Sequence, residues 1–169
     1  MARDLHVDLP ALLPRLVAFA RTIVGNPETA HDLVQEAVAR ALAARRVPVD
    51  PPAYRAWMFR IVRNAAIDEL RRIRRKPAAE QDSAPVDLWR FDTAQIAKLT
   101  VERGLAVIAP AHREIIALID IAGFSYAEAA DLLGVPDGTI MSRIARAREA
   151  LLAAIDAGTL RVLKSSHGR

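Results

Sequence analysis

Ser125–Arg148 reads SYAEAADLLGVPDGTIMSRIARAR, and this stretch decides the fold. Ala129, Ala130, Leu132 and Leu133 give the apolar side of a short helix. Gly134 follows at the position where a helix stops with φ > 0, and Val135 is the small apolar plug of a tight turn. A second helix begins at Pro136-Asp137. In it Ile140, Ile144 and Ala147 repeat at three- and four-residue spacing and point inward, leaving Thr139, Ser142, Arg143 and Arg146 on the outer face. Two helices joined this way form either an ordinary αα-hairpin or a helix-turn-helix. The outer face favours the second, because small hydroxyls near the helix start and arginines further along suit bases and phosphates respectively.

Outward from this stretch, the composition predicts an all-α chain of one medium domain or two small ones. Of its 169 residues 52% are hydrophobic, mostly Ala, Leu, Val and Ile, and only 5% are aromatic, with almost no period-2 alternation. The absence of Cys removes disulfides, thiolate nucleophiles and Cys-ligated zinc. The four histidines, His6, His31, His112 and His167, show no metal-ligand spacing, so neither a metal nor another cofactor is expected. No apolar run reaches the roughly 18 residues that span a bilayer, and the start of the chain lacks a signal-peptide pattern, so no membrane insertion and a cytoplasmic location are expected. The net charge of +4 is uneven: residues 1–76 carry 14 basic against 8 acidic side chains, residues 77–97 carry 1 against 4, and residues 98–169 carry 9 against 8. A polyanion partner is therefore expected for the N-terminal part as well.

Three helices are predicted before the acidic stretch. The first, about Leu9 to Val24, places Leu12, Leu13, Leu16, Val17, Ala20, Ile23 and Val24 on one face, interrupted only by Pro14. Gly25-Asn26-Pro27 stops it and starts the second, with Asn26 as N-cap and Pro27 at the first helical position. That second helix, to about Ala44, buries Leu33, Val34, Ala37, Val38, Ala41 and Leu42, while Asp32, Gln35, Glu36 and Arg40 line its exposed side. The prolines of Arg45–Pro52 make a stiff extended loop. The third helix, about Ala53 to Lys76, buries Trp57, Met58, Ile61, Val62, Ala65, Leu70 and Ile73. Eight of its residues are basic and only Asp68 and Glu69 oppose them, an excess that points to nucleic-acid contact rather than a solvated face. Asp68 and Glu69 read as salt-bridge partners, not as acid–base groups.

Residues 77–93 change abruptly to Pro, Ala, Asp, Glu and Ser and are expected to form a flexible acidic linker, in which Trp89 and Phe91 pack on one of the domains. A helix from about Ala94 to Ile108 uses Ile96, Leu99, Val101, Leu105 and Ile108, and another from His112 to Ala122 buries Ile115, Ile116, Leu118 and Ile119. After the helix-turn-helix, the last helix continues through Leu151, Leu152 and Ile155 and stops before Gly158, with a frayed tail in which Arg161 and Lys164 are loose phosphate contacts. There is no Gly-rich phosphate loop, nucleophile elbow or paired carboxylate site, so no catalytic residues and no enzyme activity are expected.

The order of these motifs resembles the extracytoplasmic-function, or group 4, sigma factors of bacterial RNA polymerase, within the sigma-70 family. The matching residues are Asp32-Leu33-Val34-Gln35-Glu36, Arg55–Asn64 and Ile67–Arg72 in the first half. In the second half they are Gly123–Tyr126, Glu128–Ala130, Leu133–Pro136, Gly138–Ile140, Ser142-Arg143 and Ala145–Glu149. The resemblance implies a sigma2-like helical bundle over residues 1–76, the linker 77–93, and a sigma4-like helix-turn-helix domain over residues 94–169. It further implies that Asp32, Gln35, Glu36 and Arg40 dock on the β′ clamp helices of core RNA polymerase. Arg60, Arg63, Asn64, Arg71, Arg72, Arg74 and Arg75 would face the promoter −10 element. The second domain would bind the β flap and read the −35 element with Thr139, Ser142, Arg143 and Arg146. An anti-sigma factor would hold both domains inactive.

Two positions depart from the family pattern. Val49-Asp50-Pro51-Pro52 stands where relatives often carry Gly-Thr/Ser-Asn before the basic helix, and Met141 stands where a lysine is frequent. Two rival readings belong beside this one. A sigma-like decoy would bind an anti-sigma factor and never DNA; decoys of this kind usually carry a receiver domain after the sigma-like part, whereas about 20 residues follow the recognition helix here, and the basic helix would be superfluous in one. A dimeric helix-turn-helix repressor or activator leaves residues 9–76 unexplained.

Overall fold

The computed structural model of the chain describes residues 9–75 and 93–166, and every element among them is helical. The first unit is a bundle of α1 (Leu9–Val24), α2 (Pro27–Leu42) and α3 (Pro51–Arg75). The second unit comprises α4 (Thr93–Val107), α5 (Pro110–Ile116), a π-helical turn (Ala117–Ile121), α6 (Tyr126–Leu133) and α7 (Asp137–Ser166). The acidic segment with Trp89 and Phe91, Lys76, and the side chains of Arg161 and Lys164 lie outside the described residues.

Helix α1 runs through Pro14, which lies on the solvent side, and buries Leu9, Leu16, Phe19, Ala20 and Ile23. Its end and the start of α2 follow the expected chemistry. Gly25 adopts φ 81°, and the Asn26 side chain accepts from the Thr29 amide at 2.9 Å. Phe19 and Phe59 meet edge to face with centroids 5.3 Å apart, and both are fully buried. Such a pair adds about 0.5–1.5 kcal/mol beyond the area it buries. Phe59, Tyr54 and Ala66 are core residues of α3 that the apolar stripe did not include.

Four expectations need correction. Helix α3 begins at Pro51, not after the prolines: Asp50 accepts from the Ala53 amide at 3.1 Å, and at the first two helical positions the missing proline N–H groups would have had no partner. Leu42, Ile73, Val101 and Leu152 are exposed: the buried strip of each helix is narrower than its run of apolar residues, and Val101 opens onto a groove between α1 and α4. The helix that starts at Pro110 does not stay α-helical to Ala122; from Ala117 it widens into the π turn, closed by the Ala122 amide on the Ala117 carbonyl at 2.8 Å. Finally, α7 does not stop before Gly158 but continues to Ser166, since one interior glycine costs only about 1 kcal/mol relative to alanine. Gly104 of α4 allows close approach to α7, as a Cβ there would come within 2.9 Å of Leu151 and 3.0 Å of Ile155.

The two units pack against each other. Helix α1 meets α5 and the π turn, α3 meets α6, and one apolar core runs from Leu16 and Phe59 to Phe124, Leu118 and Ile144. Phe59 is the hinge pin of this continuity: its ring contacts Phe19 on one side and Phe124 of the second unit on the other, with centroids 5.0 Å apart and planes at 82°.

Candidate nucleic-acid interface

The helix-turn-helix forms as its sequence dictates. Ser125 and Glu128 close a reciprocal capping box: the Ser125 hydroxyl accepts from the Glu128 amide at 3.2 Å, and the Glu128 carboxylate accepts from the Ser125 amide at 2.7 Å. These two hydrogen bonds, the backbone one foremost, hold the Glu128 carboxyl below its ordinary range, helped by Arg55. Gly134 ends α6 at φ 66°, and the Val135 amide bonds back to the Ala130 carbonyl. Ile140, Ile144 and Ala147 are buried, which turns the opposite side of α7 outward.

On that outer side Ser142, Arg143 and Arg146 are exposed and Thr139 is partly so. Ser142 donates to the Thr139 carbonyl, and Arg146 donates to the Ser142 carbonyl and hydroxyl at 3.2 and 3.3 Å, so both side chains are pre-aligned along the helix. Arg143 enters no ion pair among the described residues. Arg148 is held differently, by a two-point pair with Asp120 of the π turn, which raises its already high pKa. Asp120 thus fixes α7 to the preceding turn.

Helix α3 divides in two. Towards its end Arg71, Arg72, Arg74 and Arg75 are exposed. Arg71 pairs with Asp68 at 3.2 Å and Arg72 with both oxygens of Glu69 at 2.6 Å, the local salt-bridge role expected of these acids. Arg60 and Asn64 are exposed further back. Arg63 is not: its guanidinium donates to Glu114 of α5, and only about a fifth of either side chain is accessible. Arg55 also faces the second unit, donating to the Ala122 carbonyl at 2.7 Å and to Glu128 at 3.5 Å, with its guanidinium 4.0 Å over the Phe124 ring.

Local sequence patterns did not reveal this inter-unit set, since Arg63 and Glu114 lie 51 positions apart and Arg55 and Glu128 lie 73 apart. The capping box is a different case, because the Ser-x-x-Glu spacing was readable in the sequence.

Asp32, Gln35, Glu36 and Arg40 form one exposed row on α2, in which Arg40 pairs with Glu36 at 2.5 Å across one turn. Asp50 of the loop before α3 is engaged in capping that helix, and Val49 beside it is 80% exposed. A groove of about 630 Å³ runs between α1 and α4, lined by Val17, Ala18, Val101 and Leu105 together with the ion-paired Arg21 and Glu102. No group of His, Asp or Glu suited to a metal occurs among the described residues, and no helix there is long and apolar enough to cross a membrane.

A bundle with an arginine-rich third helix, followed by a capped helix-turn-helix, defines a two-part DNA-binding protein. Residues 10–76 match the Sigma-70 region 2 family and residues 98–151 match Sigma-70, region 4. The chain is 36% identical over 153 residues to the ECF RNA polymerase sigma factor EcfG of Rhodopseudomonas palustris, covering 89% of this chain and 84% of that protein. It is 35% identical over 137 residues to the ECF RNA polymerase sigma factor SigC of Mycobacterium tuberculosis, covering 74% and 69%. Among solved structures it is similar to the sigma factor RpoE of Bartonella quintana, crystallised with the anti-sigma factor NepR, at 28% identity and TM-score 0.65 over 90% of this chain and 97% of that one. It is likewise similar to CnrH in complex with the cytosolic domain of CnrY, at 28% identity and TM-score 0.64 over 90% and 88%. The chain belongs to the extracytoplasmic-function sigma factors of the sigma-70 family.

Proposed function

We propose that residues 1–76 bind core RNA polymerase and the −10 element, that 77–93 act as a tether, and that 94–169 bind the β flap and the −35 element. The observation that carries this reading is the pairing of one exposed arginine run, Arg71–Arg75 on α3, with one exposed hydroxyl-and-arginine face on α7. The first suits a phosphate backbone and the second suits base edges in a major groove. The chain acts as a cytoplasmic initiation factor without catalytic activity of its own, and the polymerase performs the chemistry.

In this division the α2 row Asp32, Gln35, Glu36 and Arg40 meets the β′ clamp helices. Its exposure supports such docking, since a mixed-charge row with few internal pairs can exchange them for partners. Arg60, Arg63, Asn64, Arg71, Arg72, Arg74 and Arg75 follow the −10 strand; Thr139, Ser142, Arg143 and Arg146 read the −35 element. The loop ahead of α3 would capture an unstacked base with groups other than the Asp50 side chain, which caps the helix. An anti-sigma factor bridging both units would hold them together, a reading supported by the similar RpoE structure, which was solved with the anti-sigma factor NepR.

The test is reconstitution. Purified protein added to core polymerase should give transcripts that start at a defined promoter, and absence of initiation from an inhibitor-free preparation would reject the assignment.

A further inference from the structure

One exposed side chain of α7 stands outside the recognition set and is placed to join it. Met141 lies one turn into the helix, which starts at Asp137, and is 57% exposed. Among the described residues it is the single large apolar side chain left exposed on the first two turns of α7, where Ile140 and Ile144 are buried. Those turns are the part of a recognition helix that lies nearest the base edges.

Packing within the unit does not require Met141. Its neighbours one turn away on either side, Gly138 and Ala145, are also exposed and carry no polar side chain. A Cβ on Gly138 would meet nothing within 4 Å, so the space beside Met141 is open. The hydroxyl on the next position is already engaged. Ser142 donates to the Thr139 carbonyl at 3.0 Å and accepts from Arg146 at 3.3 Å, which uses its proton and one lone pair inside the helix. Arg143 stands on the other edge of the outer face, about 160° around the helix from Met141.

The chemistry of the major groove narrows what this side chain can read. A thioether has no charge to neutralise a phosphate and no N–H or O–H to offer a base, and its sulfur is a weak acceptor. What it offers is flexible apolar surface. Among the base edges of the major groove the one apolar group is the C5 methyl of thymine; the other features are hydrogen-bond donors and acceptors. Contact between that methyl and Met141 removes apolar surface of both from water, and burial of one such group corresponds to about fourfold in affinity.

We propose that Met141 is a specificity-determining residue of the −35 contact, packing its thioether on the C5 methyl of one thymine at the edge of α7 away from Arg143. The inference rests on the reading that this face of α7 lies in the major groove.

The test removes the methyl from the DNA and the side chain from the protein, separately and together. Holoenzyme assembled from core polymerase and the full chain selects its −35 sequence from a randomised duplex pool. Each selected thymine is then replaced singly by deoxyuridine, which lacks only the methyl. At one thymine the wild type should bind the uridine duplex about fourfold more weakly. Met141→Ala should bind both duplexes equally, at the strength that wild type shows on uridine. Because Met141 is exposed and alanine favours a helix at least as well, this truncation should leave thermal unfolding near wild type. Met141→Leu should keep most of the thymine preference. Arg143→Ala should weaken both duplexes alike and leave their ratio intact.

A wild-type ratio below about twofold at every selected thymine would overturn the role of Met141 while the −35 assignment stands. So would a thymine preference of undiminished size in Met141→Ala. A selection that enriches no −35 sequence would reject that assignment, and this contact with it.

Discussion

Helices α3 and α7 are both long and both carry arginines along an outer face, yet the structure uses those arginines in opposite ways. On α7, Arg143, Arg146 and Arg148 stay within their own unit, and the first two remain open to solvent. On α3, Arg55 and Arg63 reach across to the second unit, while Arg71 and Arg72 pair with Asp68 and Glu69 of α3 itself. The difference is set by packing rather than by charge. Where α6 and the Phe124 ring lie over the first half of α3, its guanidiniums find Glu114, Glu128 and a carbonyl; beyond that coverage they find only near neighbours. A basic helix is therefore not one surface: its first half is covered by the second unit and its last turns are exposed.

The packing that makes the two helices unequal depends most on Phe59. Phe59→Ala removes a fully buried ring that touches Phe19 and Phe124, and should cost about 3–5 kcal/mol in urea or thermal unfolding. A change under about 1 kcal/mol would mean that the units are not coupled through this ring. At α7 the expected effect lies in recognition instead. Arg143→Ala should remove about 1–3 kcal/mol of −35 discrimination in competition binding, with polymerase affinity near wild type. Uniform weakening on all sequences would reassign Arg143 to a phosphate.

The free half of α3 should respond to salt. Arg71→Ala with Arg72→Ala should lower the slope of log affinity against log salt by roughly 0.7 to 0.9 for each phosphate that is no longer neutralised. Arg63→Ala should change that slope much less, because its guanidinium is already paired with Glu114. Equal slopes for the two variants would erase the distinction between the halves.

How far the sequence reached follows the same line. The helices and the turn at Gly134 were legible because their signals are local: spacing by three and four, an Asn-Pro start, and a glycine that takes φ 66°. Leu42, Ile73, Val101 and Leu152 were misplaced because periodicity names a face but cannot say how far along it a neighbour extends. The burial of Phe59 and Phe124 was not legible for a related reason: Phe59 is covered by Phe19 within its own unit and by Phe124 from the other. The exposed rows on α2, α3 and α7 were legible as patterns of charge. That Arg63 would be taken up by Glu114 was not, because only the packed structure reveals this pairing across 51 residues.

The smallest expected effect tests whether α6 is held by its own cap or by α3. Ser125→Ala removes one half of the capping box and should cost about 0.5–2 kcal/mol. Glu128 adds a pH signature. Its carboxyl lies below the ordinary value of 4.5, first through the hydrogen bond from the Ser125 amide, so the folded state holds fewer protons on this group than the unfolded state does. Its stabilisation is therefore complete above about pH 4.5 and is lost as the pH falls from there through the depressed folded value. Glu128→Gln should flatten stability against pH in that acid window and lower it above about pH 4.5, where the charged carboxylate contributes. If the cap hydrogen bonds dominate, that loss should persist as salt rises from about 0.05 to 0.5 M; if instead the partly exposed ion pair with Arg55 dominates, it should shrink.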